Sequence, residues 1–155
     1  MKKDTDLKIE YWVPARVKPY AKNARAHPPE QVAAIVRSIK GAGRFMKPIL
    51  VDERNEILAG HGAFMAAQQL GMEKVPVIQH RGLTQAQKRA YRLADNRTGE
   101  LSIWDNPLLL EEFADLKKMG VDLALTGWDP KEIELMLRPP KAGPDEPPVP
   151  ATAAR

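Results

Sequence analysis

Lys47–Ile78 reads KPILVDERNEILAGHGAFMAAQQLGMEKVPVI, and its punctuation decides the fold. Pro48-Ile49-Leu50-Val51 is a short apolar run, and Asp52-Glu53-Arg54-Asn55 is turn chemistry. Ile57-Leu58-Ala59 resumes an extended strand. Gly60-His61-Gly62 then opens a helix in which Ala63, Ala66, Ala67 and Leu70 recur at i, i+3, i+4 and i+7. Gly71 stops it as a left-handed cap would, and a third strand follows. A strand that turns through glycines into a helix N-terminus makes an anion site, because unpaired N–H groups point outward and glycine admits a phosphate to the backbone. The plainer alternative, that Gly60 and Gly62 only turn the corner, stays open on spacing alone.

Outward from this block, Ile9 to Val17 predicts a first strand interrupted by Pro14, followed by an exposed basic loop over 18–25. Pro28-Pro29 precedes a helix over about 30–40, with Val32, Ile35, Val36 and Ile39 as its apolar stripe and Gly41 as its stop. Thr84-Gln85-Ala86-Gln87 is a capping box that starts a helix over 84–95. Ala86, Ala90, Leu93 and Ala94 are expected to face inward there, with Lys88, Arg89 and Arg92 off the stripe. Asn106-Pro107 reads as an N-cap with proline at the first helical position. Leu109, Phe113 and Leu116 place that helix on a core, and Gly120 closes it. Asp129-Pro130 repeats the logic for a short last helix carrying Ile133, Met136 and Leu137. The pattern predicts a small α/β (α+β) domain over 1–138, with a mixed sheet, packed helices and a helical extension from about 98. Residues 139–155 hold 6 of the 14 prolines and almost no large apolar residue, so a disordered, Pro-rich linker is expected. Such a tail suits a fragment of a longer protein or a stand-alone copy of an N-terminal domain. No helix pair of helix-turn-helix type is evident, so sequence-specific DNA reading is not expected.

The 155 residues include no cysteine, which removes disulfides, thiolate metal sites and cysteine nucleophiles. No signal-peptide pattern and no bilayer-length apolar run is present, so a cytoplasmic protein without a membrane partner is expected. Residues 1–97 carry 18 basic and 9 acidic side chains, a net +9, whereas 98–155 carry 6 and 11, a net −5. A basic front half suits a polyanionic partner, nucleotide or nucleic acid; a solvated cationic surface is the alternative. Non-specific, weak DNA contact would fall to Lys18, Lys22, Lys88, Arg89 and Arg92.

Three stretches carry a resemblance. Asn23-Ala24-Arg25 before a helix, Ile57-Leu58-Ala59-Gly60-His61-Gly62 before an alanine-rich helix, and Ala90–Arg97 (AYRLADNR) are similar to three boxes of ParB-type N-terminal domains, whose fold is shared with sulfiredoxin. The Gly-His-Gly form, Leu93–Arg97 and Leu125-Thr126-Gly127-Trp128 resemble most the ParB-like domains fused to, or encoded beside, phage and prophage DNA methyltransferases. The resemblance spans about residues 7–137.

In the CTP-binding members of that family the second box cradles a triphosphate and the third holds magnesium. Carried over, the resemblance implies Mg²⁺ and a nucleoside triphosphate (CTP or ATP). Gly60, His61, Gly62, Arg25 and Arg97 would lie on phosphate, and Asp95 and Asn96 on the metal. Helix capping is the other reading of Asp95-Asn96, and a helix C-terminal charge the other reading of Arg97. One position departs: the subgroup continues Gly-His-Gly with arginine, and here stands Ala63. A missing charge-assisted contact costs about 1.5–3 kcal/mol. Sulfiredoxin chemistry, which needs a cysteine in that corner, is excluded. His61 is the candidate general base, with no partner histidine assignable by spacing, since His27 and His80 lie far along the chain. The expected function is a nucleotide- and DNA-associated accessory domain, working with a methyltransferase domain or protein or with a partition machine, with a homodimer as a candidate assembly. The alternatives are a nuclease, NTPase or small-molecule kinase on the same fold, and a degenerate interaction domain that binds no nucleotide.

Overall fold

Pro14 cuts the first extended segment short, because it fixes φ and lacks an N–H. In the computed structural model, which describes residues 7–138, β1 (Ile9–Trp12) therefore gives way to a 3-10 turn at Pro14–Arg16. The linker expected over 139–155 lies outside the described residues. β2 (Ile49–Val51) and β3 (Ile57–Ala59) pair antiparallel through the predicted turn, and β4 (Val75–Gln79) runs parallel to β2 and antiparallel to β1. The four-stranded mixed sheet has the order β1-β4-β2-β3.

Two helices complete the α/β body. Val32 and Val36 of α1 (Pro29–Ala42) pack on Ala66 of α2 (His61–Gln69), flanked by Ile35, Ile39 and Leu70. The sheet core gathers Trp12, Ile49, Val51, Ile57, Phe64 and Val77 around these elements. α1 overruns its expected stop. Gly41 lies inside the helix, where a Cβ would come 2.9 Å from the Leu125 side chain, and the helix ends at Gly43, whose φ of +68° is the left-handed cap. The missing Cβ of Gly41 thus serves packing rather than termination.

α3 (Gln85–Glu100) starts on the capping box expected at Thr84. The cap of α4 (Asn106–Lys118) lies one residue earlier than expected: Asp105, not Asn106, accepts the Leu108 N–H. α5 (Pro130–Leu137) is capped by Asp129 as expected. A separate core of Leu109, Phe113 and Ile133 holds α4 and α5, with Trp128 edge-on to Phe113 at 5.8 Å. Arg37 of α1 reaches this unit, donating to the Ala124 carbonyl at 3.3 Å. Of the tryptophans, Trp12 is in the sheet core, Trp128 is half-buried and Trp104 is mostly exposed.

The face of α3 reverses the sequence expectation. Ala86, Ala90 and Ala94 are exposed and Leu93 is 60 % exposed, whereas Lys88 and Arg92 are 1 % and 4 % exposed. The reason lies in the β2–β3 turn. Asp52 is buried there, accepting the N–H groups of Arg54 (2.8 Å) and Glu56 (3.0 Å), and a buried carboxylate needs a cation. Lys88 Nζ supplies it at 2.9 Å and also meets Glu53 at 2.6 Å. One turn on, Arg92 donates Nε–H to the Ile57 carbonyl (2.8 Å) and Nη2–H to Glu56 (2.9 Å), with its guanidinium 3.7 Å over the Tyr20 ring. Burial opposes the charge on Asp52, but Lys88 and the two N–H groups outweigh it and hold its carboxyl below the ordinary value. Burial likewise opposes the charge on Lys88, and the two carboxylates outweigh it and raise its ammonium.

Replacing Lys88 with methionine strands the Asp52 charge and is expected to cost about 3–5 kcal/mol. Leu93→Ser, on the face that periodicity marks as core, is expected to change stability by no more than about 0.5 kcal/mol. Urea unfolding of both variants at pH 7 checks the orientation of α3; equal costs would contradict it.

Candidate functional site

β3 ends in Gly60, which turns the chain at φ +100°, a conformation suited to glycine. Gly60 caps α2, and the first helical bond runs from Phe64 N–H to the Gly60 carbonyl at 2.9 Å. The N–H groups of His61, Gly62 and Ala63 precede that bond, so they form the open N-terminus of the helix. All four corner residues border a cleft of about 400 Å³ enclosed by α1, this corner and α3. Asn23, from the first sequence box, and Asp95 and Asn96, from the third, border the same cleft. The chain thus brings the three boxes together in space.

The acidic pair is placed by the cation row of α3. Asn96 Nδ2 donates to the Arg92 carbonyl at 2.8 Å, which leaves Oδ1 for a ligand. Asp95 pairs with no cationic side chain among the described residues. The two residues offer hard oxygen donors of the kind a magnesium ion takes beside phosphate oxygens. Among the described residues no group of three or more His, Asp or Glu side chains could hold a metal ion by itself, so such an ion would need oxygens from a phosphate ligand.

Arg25 and Arg97 are placed elsewhere. Both engage Glu100, Arg25 through its Nη1 and Arg97 at 3.1 Å, and neither borders the cleft. Spacing alone missed five polar cleft residues: His27, Gln31 and Ser38 on α1 and the loop before it, and Arg44 and Lys47 ahead of β2. Their only signal was charge and polarity in otherwise unremarkable segments. The missing partner of His61 is also found: His27 lies with its ring centroid 6.3 Å from that of His61 and nearly parallel to it, at 15°.

His61 is a neutral, occupied imidazole. Its Nε2 accepts the Tyr20 backbone N–H at 3.2 Å, which leaves the proton on Nδ1. Burial, with the nearby His27 and Arg92, pushes its pKa down to about 4. An imidazole whose lone pair is already engaged is a poor proton acceptor, so the candidate general base of the sequence reading is a structural element of the corner.

The DNA-contact candidates divide. Lys88 and Arg92 are buried in ion pairs with Asp52, Glu53 and Glu56 and lie off the outer surface that DNA would touch, so these two are withdrawn. Lys18, Lys22 and Arg89 are exposed. Lys22 and Arg89 border a smaller recess of about 150 Å³, which shares Asn23, Arg92 and Asn96 with the main cleft.

Residues 5–97 match the ParB N-terminal domain, and residues 107–155 match the ParB-methyltransferase HTH domain. The second match falls on a stretch where the sequence makes no helix-turn-helix pair evident; its described part holds α4 and α5. The chain is 53 % identical over 83 residues to the ParB-like nuclease domain-containing protein YnaK of Escherichia coli (strain K12), covering 54 % of this chain and 94 % of that protein. Among solved structures it superposes on the C-terminally truncated chromosome-partitioning protein ParB from Caulobacter crescentus complexed with CTP-gamma-S. That match has a TM-score of 0.70 and 16 % identity, over 84 % of this chain and 77 % of that one. It also superposes on a Pnob8-like ParB-N domain at a TM-score of 0.51 and 16 % identity, over 74 % and 48 % of the two chains. The fold is the one expected from the three boxes. No helix among the described residues is long and apolar enough to cross a membrane.

His61 also sets a pH dependence. Its pKa rises from about 4 in the fold to 6.5 on unfolding, so between these values the unfolded chain binds more protons and stability rises with pH. The contribution is complete above about pH 6.5 and is lost as pH falls toward 4. His61→Gln is expected to flatten the decline between pH 6.5 and 4.5, above the range where Asp52 titrates; an unchanged decline in urea midpoints would show that His61 is not its source.

Proposed function

The chain belongs to the ParB N-terminal domain family, and from that premise we propose that it is a nucleotide-binding module that acts at DNA, in the cytoplasm, as an accessory to DNA modification or partition. The observation that carries this reading is the convergence of Asn23, the Gly60–Ala63 corner and Asp95-Asn96 on one cleft. A nucleoside triphosphate, CTP or ATP, would place phosphate oxygens at the N-terminus of α2, where N–H groups and the helix dipole favour negative charge. Asp95 and Asn96 Oδ1 would hold the accompanying Mg²⁺, which neutralises phosphate charge. A ParB of the same fold was solved with CTP-gamma-S, and at 16 % identity that supports the fold; the ligand rests on the cleft.

Ala63 leaves the corner without the guanidinium the family subgroup carries, so binding is expected to be weak. Arg25 and Arg97 sit on Glu100 and would have to leave it to reach a phosphate. The DNA side of the reading rests on the exposed Lys18, Lys22 and Arg89. The HTH-matching stretch 107–155 carries 6 basic and 9 acidic residues, a net −3, and supplies little attraction for phosphates. Its match to a ParB-methyltransferase HTH domain supports a methyltransferase as partner.

A nuclease is the second reading, favoured by the name of the 53 % identical E. coli relative. Magnesium-dependent cleavage of DNA that is lost in Asp95→Ala would favour it over a binding module. Failure to bind any nucleotide would leave a pure interaction domain.

Ala63→Arg is expected to tighten triphosphate binding in magnesium about tenfold or more, and Asp95→Ala in that background to abolish the magnesium dependence. Calorimetry with CTP, ATP and GTP tests both; no gain with any nucleotide would reduce the corner to a turn. Replacing Lys22 and Arg89 together with glutamine is expected to weaken DNA binding across sequences and to lower the salt slope by about 2, as read from a gel-shift series; an unchanged slope would move the contact elsewhere.

A further inference from the structure

His27 takes part in none of the roles above, yet its surroundings are built. Its Nδ1 lies 2.8 Å from Gln31 Oε1, so Nδ1 carries a proton and Nε2 is left with the lone pair. A Cβ on Gly62 would come within 3.1 Å of Nδ1, so the ring rests against the first turn of α2. His61 lies alongside it, and both border the cleft.

We propose that His27 is the pH-dependent phosphate ligand of this cleft: protonated, it supplies at the N-terminus of α2 the cation that Ala63 lacks. The inference rests on the triphosphate reading of the cleft and adds its regulation. An imidazole is the side chain whose charge changes between pH 5 and 8. Of the two histidines in the corner, His61 stays neutral to about pH 4 with its Nε2 engaged by Tyr20, so it cannot be the one that gains charge. Protonation of His27 leaves the Gln31 bond intact and turns Nε2 from acceptor to donor. The charged groups sharing the cleft are Arg92 and Asp95 of α3 and Arg44 and Lys47 ahead of β2. Arg92 is held by Glu56 and the Ile57 carbonyl, and Asp95 would be neutralised by a metal. A bound polyphosphate therefore favours the protonated form of His27 and takes up one proton.

The test is calorimetry with ATP and CTP in magnesium at pH 8.0 and 6.0, on the protein and on His27→Asn, whose side-chain amide can still donate to Gln31. Comparing the two proteins at each pH cancels the titration of the nucleotide and of every group the two proteins share. The protein is expected to bind about tenfold tighter than His27→Asn at pH 6.0 and about equally at pH 8.0. A ratio that does not change with pH overturns the inference and leaves the nucleotide site standing. No binding at either pH, by the protein or by Ala63→Arg, overturns both. A second measurement does not depend on the variant folding: the imidazole resonances of His27 in the unaltered protein should titrate at higher pH with saturating nucleotide than without, and an unmoved midpoint overturns the proposal.

Discussion

A carboxylate buried in a turn governs the arrangement of this molecule. Asp52 sits at the end of β2 and is 2 % exposed, so its charge must be met on every side. Two turn N–H groups meet one oxygen and the ammonium of Lys88 meets the other. A pair of this kind contributes little net stability over an apolar isostere, but leaving one member alone is costly, so it acts mainly to specify how α3 docks. The consequences run along the helix at one-turn intervals. Lys88 fixes the register, Arg92 follows on the Ile57 carbonyl and Glu56, and Asn96 follows on the Arg92 carbonyl. Asp95 and Asn96 reach the cleft because a turn some forty residues earlier holds an acid.

That same arrangement explains where sequence patterning succeeds and where it fails. β2, β3 and β4, and the helices packed on apolar cores, are legible because a two-residue or 3.6-residue period of large apolar side chains has one physical meaning. α3 has a period too, but its alanines carry little burial energy, while its cations carry a large cost unless paired. Periodicity counts apolar residues and cannot see a buried acid waiting on another element, so it selects the wrong face. Gly41 fails for a related reason. A glycine near a helix end is a stop signal only when its conformation is used; here the absent Cβ makes room for Leu125.

The candidate site was legible in proportion to how local it is. The Gly60–Gly62 corner and the Asp95-Asn96 pair are short strings, and both border the cleft. His27, Arg44 and Lys47 reach it only because α1 packs on α2, a tertiary event with no mark in their own segments. Arg25 and Arg97 show the converse. Their strings are right for the family, and yet Glu100, at the end of α3, takes both guanidinium groups.

The glycines of the corner carry two meanings at once. Gly60 is required by its backbone conformation, whatever binds there. Gly62 is required by close approach: a Cβ would press on Ile35 at 3.0 Å and His27 at 3.1 Å, tighter than the neighbours could accept without shifting. A Gly-x-Gly string is thus accounted for by turning and packing alone, and its presence does not by itself imply a ligand. What points to a ligand is what the packing leaves available: three N–H groups at a helix start, two stacked histidines against them, an Asp95 that meets no cationic side chain among the described residues, and Arg44 and Lys47 on the cleft lining. Packing that only closed a corner would gain nothing from leaving Asp95 and Asn96 Oδ1 without a partner among the described residues, beside that helix start.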